Sequence, residues 1–252
     1  MRVATFNIHH GTVAKDGPVD PARLGQVCAD FDADVLALEE VDVGTWRAKG
    51  ADLAAAVAVA TGMAHVFGAS RRFPGGSYGN ALFVRGEIRS WSVLALPRVP
   101  AWRCWQERRT VLVAEMLPAA LGGALRVCAT HLAVPQEVNG PQLDHVLDVA
   151  VGPRARTGVS VGRPPTVVLG DLNRFPSTVA PAARRAGLVW VDHGPTSPVQ
   201  PRRRLVIDHV LVTPDLEVTG VEVRATAMSD HAALLVDLAP RPQSGAAAEA
   251  AR

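Results

Sequence analysis

The sequence predicts an α+β fold in which helices cover mixed sheets, and two kinds of periodicity support this class. Apolar residues recur at helical spacing in four separate segments, within residues 24–31, 46–61, 143–150 and 179–186. Between residues 64 and 130, strand-like runs follow one another with turn residues and no helix between them. Helices separated by blocks of several strands favour mixed sheets over a strict alternation of strand and helix.

The first part of the chain contains two strands and two helices. We predict strands over residues 2–8 and 34–40. Asp20-Pro21 predicts the start of a helix, because aspartate caps a helix and proline suits its first position. A helix rich in alanine is predicted over residues 46–61 and ends at Gly62.

The rest of the chain is predominantly strands. We predict strands at residues 64–67, 80–85, 88–96, 110–116 and 125–130, which indicate an antiparallel arrangement. A buried strand at Val167 lies between the last two helices, and strands at 205–213, 218–224 and 233–238 complete the fold. Residues 1–239 form one predicted domain, and the composition of residues 240–252 predicts a disordered tail.

Composition excludes several classes of protein. With 252 residues, 48% of them hydrophobic, the chain can bury a sizeable core, and its net charge of +2 does not by itself indicate nucleic acid binding. The three cysteines, Cys28, Cys104 and Cys128, lack the spacing of a disulfide framework or a zinc site. Neither a secretory signal nor a membrane-spanning run is found. We expect a cytoplasmic monomer that does not insert into membranes.

The most informative stretch is Gly170-Asp171-Leu172-Asn173, which follows a buried strand of branched residues. Its carboxylate and amide are two residues apart, so in a strand they would project to the same side. Alone, the stretch is also typical of an ordinary turn. Polar residues at the ends of other buried strands favour a functional site, because buried charges are costly unless they are paired or bound to metal. These residues are Asn7, Glu40, His131, Asp208, Asp230 and His231.

Seven short motifs resemble, in order, those of the endonuclease/exonuclease/phosphatase superfamily. They begin at Thr5, Asp34, Tyr78, Thr130, Gly170, Ile207 and Ser229, and read TFNIHHG, DVLALEEV, YGNAL, THL, GDLN, IDHV and SDH. The resemblance implies a four-layer αββα sandwich, with two mostly antiparallel sheets face to face, helices outside, and an active site at one end.

The resemblance also implies a metal site. Glu40 is the oxygen ligand expected to hold Mg²⁺, for which Mn²⁺ is a possible substitute, and Asn7 and Asp230 lie nearby. Such an ion would neutralise a phosphate and stabilise charge on the leaving oxygen.

Further residues receive catalytic roles. Asp208 is expected to orient His231, which is either the base for the attacking water or a cation that grips phosphate. Asp171 is the competing base, and Asn173 is expected to donate a hydrogen bond to a phosphate oxygen. His131 matches the position used to protonate the leaving group.

Three predictions about supporting residues are less direct. Asn80 would orient His131, whereas His9 and His10 would contact the phosphate or support the site. Glu39 stands where the family usually has glutamine and adds a possible charge, although strand alternation points it away from Glu40.

Four Asp-His pairs occur in the chain, and only Asp230-His231 matches the family motif in full. Asp144-His145 is predicted on a solvated helix face, and Asp192-His193 in a turn. In Asp208-His209, alternation makes the histidine a packed sheet residue and the aspartate the functional half.

Three functions remain open. We expect a Mg²⁺-dependent phosphodiesterase with DNA or RNA as the default substrate. Arginines and aromatic residues are mixed in predicted loops at residues 71–73, 102–109 and 202–204, and such loops suit nucleic acid and a phosphorylated small molecule or lipid head group equally well. The alternatives are a phosphomonoesterase for a sugar or inositol phosphate, and a catalytically silent phosphate-binding module. Glu40 and His231, which a silent relative would be expected to lose, are both present.

Overall fold

The computed structural model describes residues 1–12, 17–100, 106–152, 163–197 and 205–242. Within these ranges four α-helices, one short 3₁₀ helix (His9–Gly11) and twelve strands occur. The helices are α1 (Pro21–Ala29), α2 (Leu53–Thr61), α3 (Gln136–Val151) and α4 (Pro176–Arg185). The strands are β1 (Arg2–Asn7), β2 (Val35–Val43), β3 (Ala64–Phe73), β4 (Gly76–Val84), β5 (Gly86–Ala95), β6 (Thr110–Pro118), β7 (Leu125–Thr130), β8 (Thr166–Asp171), β9 (Val189–Trp190), β10 (Asp208–Val212), β11 (Leu216–Arg224) and β12 (Ala233–Pro240).

The strands form two six-stranded sheets. Their orders are β11-β12-β1-β2-β4-β3 and β5-β6-β7-β8-β10-β9. Each sheet has one parallel pair, β1 with β2 and β7 with β8, and all its other neighbours are antiparallel. The predicted pair of mostly antiparallel sheets is confirmed.

Three apolar clusters show how the layers stack. The central cluster joins the two sheets and includes Val3, Leu82, Leu112 and Val167. A second cluster packs α1 and α2 on the outer face of the first sheet, and a third packs α3 and α4 on the outer face of the second. Each sheet therefore buries both faces, and the four-layer αββα sandwich is confirmed.

Local sequence signals explain where α1 begins and where α2 ends. The Asp20 side chain accepts a hydrogen bond from Arg23 N at 3.0 Å, and Pro21 occupies the first helical position, as predicted. Gly62 ends α2 with φ of 68°, a left-handed conformation that glycine adopts without a Cβ clash.

The predicted start of α2 at residue 46 is wrong. Residues 46–50 form a turn, in which Gly50 N donates to Thr45 O at 2.9 Å. The helix begins only after Asp52, whose side chain caps Ala55 N at 2.9 Å. The richness in alanine extends over both segments, so composition alone did not reveal the turn and the cap that separate them.

Other boundaries also differ from the prediction. The strand β3 continues to Phe73, so Arg71 and Arg72 lie on a strand rather than in a loop. The strand predicted from residue 205 begins at Asp208, and the two-residue strand β9 was not predicted. The basic segments at 102–105 and 202–204 and the tail from residue 243 lie outside the described residues.

Cys28 and Cys128 are buried free thiols in different clusters, and Cys104 lies outside the described residues. None of the four helices in the described ranges has both the length and the apolar character needed to cross a membrane.

The two parallel strand pairs, β1 with β2 and β7 with β8, determine where the polar residues at the strand ends lie. Strands that run in the same direction end at the same edge of a sheet, which brings Asn7 near the Glu40 region and Thr130 near Gly170. At Gly170 φ is 138°, and a Cβ there would lie 1.9 Å from the carbonyl oxygen of Thr130. Only glycine lets β7 and β8 approach this closely beside Asp171.

Candidate active site

Asp171 is the centre of a buried hydrogen-bond network at the end of β8. Its Oδ2 accepts a hydrogen bond from Asn7 Nδ2 at 3.1 Å and lies 3.4 Å from His131 Nε2. Its Oδ1 accepts from the backbone N–H of Asn173 at 2.9 Å. Because Asn7 belongs to the first sheet and Asp171 to the second, this carboxylate joins the ends of both sheets.

A second carboxylate holds a histidine beside Asp171. His231 Nδ1 donates to the Asp208 carboxylate, with separations of 3.1 Å to Oδ1 and 3.0 Å to Oδ2. On the other side of the ring, Nε2 lies 3.1 Å from Ser197 Oγ and 3.9 Å from Asp171 Oδ2. The antiparallel register pairs Asp208 directly with Asp171, which explains why one imidazole reaches both.

These groups have strongly perturbed pKa values. Burial, followed by the negative charge of Asp208, raises the pKa of Asp171 to about 7. Burial lowers the pKa of His231, but the adjacent Asp208 and Asp171 carboxylates outweigh it and raise that pKa to about 10. At neutral pH His231 is therefore a cation, and Asp171 is close to its point of half protonation.

Glu40 forms the other half of the site. It lies in a bulge of β2 with φ of 62°, which turns its side chain out of the regular alternation. Its Oε1 accepts a hydrogen bond from Asn7 Nδ2 at 3.3 Å and lies 3.9 Å from His131 Nδ1, while its Oε2 lies 3.2 Å from His10 Nε2. Asn7 thus links Glu40 to Asp171.

Two groups of side chains offer ligand atoms for a divalent cation. Ligand atoms of Asp171, Asp208 and His231 all lie within 4.8 Å of one another, but His231 in its protonated form has no free nitrogen for an ion. The buried carboxylate of Glu40 is the second, and oxygen donors of this kind fit a hard cation. The side chain of Asp230, predicted as a ligand, makes no hydrogen bond or ion pair with a described residue; its charge contributes to the raised pKa of His231.

His131 and Asn173 both lie in the site, although their contacts differ in kind. Burial, followed by the positive charge of Arg109, lowers the pKa of His131 well below its usual value, so the ring is neutral at pH 7. Its Nδ1 is buried and has no hydrogen-bond partner in the described chain. Asn173 Nδ2 donates to Leu132 O at 3.0 Å, and this contact ties the loop after β7 to the loop after β8.

The two predicted supporting residues, Asn80 and His9, make different contacts from those expected. Asn80 Nδ2 is 3.5 Å from Thr110 O, and no hydrogen bond between Asn80 and His131 occurs among the described residues. The backbone N–H of His9 donates to Asn7 Oδ1 at 3.1 Å, so His9 helps to orient Asn7 through its main chain.

Glu39 is fully buried rather than exposed beside the cation site. Thr5 Oγ1 donates to its Oε1 at 2.8 Å, and its Oε2 has no partner in the described chain. Burial raises the pKa of Glu39 well above its usual value. Burial therefore favours the neutral form of the side chain and opposes the extra charge that the sequence suggested.

The Asp208-His209 pair divides as alternation predicted. Trp190 Nε1 donates to His209 Nδ1 at 3.0 Å, which leaves Nε2 to donate to Arg174 O at 2.8 Å. Burial lowers the pKa of His209 to about 4, so this ring is neutral. In the Asp144-His145 pair the aspartate is exposed on α3, also as predicted.

Two residues near the site, Ser197 and Arg109, were not assigned a role from the sequence. Ser197 contacts His231. Arg109 pairs with Glu107 at 3.2 Å, and its charge acts on both Glu40 and His131. No motif marks either residue. His10, which belongs to the motif that begins at Thr5, contacts Glu40 at 3.2 Å.

The sequence matches the model of the Endonuclease/Exonuclease/phosphatase family over residues 4–231. The chain belongs to that family. It is accordingly a phosphoric ester hydrolase, as the motifs predicted. Among curated proteins, none matches the sequence.

Several solved structures resemble the protein along most of its length. An endonuclease/exonuclease/phosphatase from Beutenbergia cavernae is 27% identical, with a TM-score of 0.75 over 95% of this chain and 71% of that chain. A mannosyl-6-phosphatase from Bacteroides thetaiotaomicron is 16% identical, with a TM-score of 0.68 over 94% and 99% of the two chains. The human Nocturnin catalytic domain is also 16% identical, with a TM-score of 0.70 over 96% and 93%. The last two likenesses concern the fold alone.

Proposed function

We propose that the protein is a divalent-cation-dependent phosphodiesterase, with DNA or RNA as the first substrates to test. The observation that carries the proposal is the meeting of the Asp208–His231 pair with Asp171, 3.9 Å from His231 Nε2. A cation, a carboxylate and a neutral imidazole converge there beside Glu40, and these are the groups needed to hold a phosphate and move protons around it.

The proposed mechanism uses each group in the state its surroundings favour. His231, protonated and fixed by Asp208, binds a non-bridging phosphate oxygen through Nε2–H. Asp171, with a pKa of about 7, accepts a proton from the attacking water. His131 Nε2 lies 3.4 Å from Asp171 Oδ2, the same oxygen that faces His231, and in this mechanism it assists the leaving oxygen.

Glu40, with Asn7 and Asp230 nearby, would hold the cation, expected to be Mg²⁺ with Mn²⁺ as the substitute. When bound, the ion would supply positive charge to the phosphate and the leaving oxygen. Glu40 is already aligned by Asn7, which also contacts Asp171, so binding at one carboxylate is coupled to the position of the other.

A phosphomonoesterase is the second candidate, and one observation favours it. Glu107 pairs with both Arg71, at 3.6 Å, and Arg109, at 3.2 Å. The Arg109 side chain is only 10% exposed and its charge acts on Glu40 and His131. A fixed arginine so close to the site would suit the extra charge of a terminal phosphate.

The test is a panel of plasmid DNA, single-stranded RNA, bis-aryl phosphate and aryl monophosphate, assayed with Mg²⁺ and with Mn²⁺. We expect cleavage of diesters, and a loss of about a hundredfold or more in Asp171→Ala and His231→Ala. Wild-type turnover in both variants would refute the site. Faster cleavage of the monoester, abolished in Arg109→Met, would favour the second candidate. No cleavage of any member would favour the binding module.

A further inference from the structure

His10 and Glu40 form an unusual pair at the edge of the site. His10 Nε2 lies 3.2 Å from Glu40 Oε2, and both residues have φ of 62°. Left-handed backbone is uncommon for residues other than glycine and costs free energy. Two separate segments, the turn after β1 and the bulge in β2, adopt it here, and together they bring an imidazole and a carboxylate into contact.

The contact to Glu40 engages one nitrogen of the imidazole, Nε2. His10 Nδ1 is buried without a hydrogen-bond partner among the described residues. A neutral imidazole has one nitrogen with a free lone pair, which is the form that binds metals.

The separation of the two atoms fits shared coordination. Two donors about 2.1 Å from one ion, at an angle of about 90°, lie about 3.0 Å apart. The observed 3.2 Å between Nε2 and Oε2 is close to that value. The other oxygen of Glu40 accepts its hydrogen bond from Asn7, so Oε2 remains on the side of His10.

We propose that His10 Nε2 and Glu40 Oε2 bind the same divalent cation. This inference rests on the proposed function, because it concerns the cation that the hydrolase would use. A nitrogen ligand weakens the preference for Mg²⁺, which favours oxygen donors, and strengthens binding of first-row transition ions. His10 therefore shifts the preference of the site from Mg²⁺ toward Mn²⁺, relative to a site with oxygen ligands alone.

The direct test is pulsed electron paramagnetic resonance of the full-length protein with one equivalent of Mn²⁺. We expect hyperfine coupling from a bound imidazole nitrogen. When the histidines carry ¹⁵N, the ¹⁴N coupling should be replaced by a ¹⁵N coupling, which identifies the nitrogen as that of a histidine. The coupling disappears in His10→Ala and persists in His9→Ala, the matched control in the same turn. Calorimetry should show Mn²⁺ affinity at least about tenfold weaker in His10→Ala.

A second variant separates ligation from simple orientation of Glu40. His10→Gln keeps a hydrogen-bond donor near Glu40 but lacks the imidazole nitrogen, so it should lose the coupling even if His10→Ala does not fold. Wild-type affinity for Mn²⁺ in His10→Gln would overturn the proposal. So would absence of nitrogen coupling, or of Mn²⁺ binding, in the wild-type protein.

The two proposals fail in different ways. Cation-dependent hydrolysis without nitrogen coupling would refute the role of His10 and leave the phosphodiesterase intact. Nitrogen coupling without hydrolysis of any substrate would support ligation by His10 and refute the proposed function.

Discussion

His209 and His231 are both buried beside Asp208, yet they have opposite charge states. His209 follows Asp208 in β10 and points to the outer side, where its hydrogen bonds within the described part of the chain join it to neutral groups, Trp190 and the carbonyl of Arg174. His231, by contrast, donates a hydrogen bond directly to the Asp208 carboxylate. The pKa of the first ring is lowered to about 4, whereas that of the second is raised to about 10.

The difference shows that burial alone does not decide the role of a histidine. Desolvation opposes the charged form of both rings, and only a carboxylate in hydrogen-bond contact reverses its effect. The alternation of the strand decides which side receives that carboxylate, because Asp208 and His209 project to opposite faces.

The largest expected effect comes from removing that carboxylate. In Asp208→Asn, burial remains while the main source of negative charge is lost, so the pKa of His231 should fall toward that of His209. We expect kcat/KM at neutral pH to fall about 10²–10⁴-fold, because His231 is no longer a fixed cation. Histidine NMR titration measures the pKa. Asp144→Asn, in the exposed Asp-His pair, is the control; activity of Asp208→Asn within about threefold of wild type would refute the comparison.

Acid should destabilise the protein through His209. The unfolded ring has a pKa of about 6.5 and the folded ring one of about 4, so below pH 6.5 the unfolded state takes up a proton that the folded state rejects. Stability is complete above that pH and falls by about 3 kcal/mol as the pH approaches 4.

Urea denaturation at several pH values measures this loss. The difference in slope between wild type and His209→Gln isolates the contribution of His209 from those of other buried histidines. Equal slopes in the two proteins would show that the folded ring does accept a proton.

A smaller effect is expected from Trp190→Phe. The change removes the donor to His209 Nδ1 and leaves a buried acceptor unpaired, at a cost of about 1–3 kcal/mol in the free energy of unfolding. Activity should stay within about twofold of wild type, because the His209 side does not touch the reacting groups. Trp91→Phe, at an exposed position on β5, is the stability control. A loss of activity without a loss of stability would contradict the division between the two sides.

The mildest test varies only the pH of the assay. The mechanism needs Asp171 without its proton and His231 with it, so kcat/KM should rise with pH through about 7 and fall through about 10. Each unit below the lower pKa should cost about tenfold in rate. In the Asp171→Asn variant, the residual activity should no longer rise with pH through about 7. A lower limb that lies near pH 4 in the wild type would remove Asp171 as the base.

Sequence predicted the fold class and the two parts of the site for different reasons. The helical stripes and strand runs indicated the mixed sheets, but the four-layer sandwich came from the motifs, because periodicity does not specify which layers meet. Alternation placed Asp208 and His209 correctly. It did not foresee the bulge at Glu40, since the left-handed backbone there depends on contacts from other strands.

The missed contacts have a similar cause. Ser197 reaches His231 across 34 positions of sequence, and Arg109 acts on Glu40 from the residue just before β6 of the other sheet. Neither residue belongs to a motif, and no local pattern reports that two sheets bring such groups together. The predicted start of α2 was wrong for a local reason: a turn and an aspartate cap interrupt a composition that otherwise favours a helix throughout.

Gly170 gives the site a weak point that contains no reactive group. The strands β7 and β8 lie close together because Gly170 has no Cβ atom. In Gly170→Ala, the added methyl group would have to displace the Thr130 carbonyl by about an ångström in a close-packed interior. His131 follows Thr130, and Asp171 follows Gly170. A single added methyl group would therefore push His131 and Asp171 apart. The protein would lose activity although every catalytic side chain is still present.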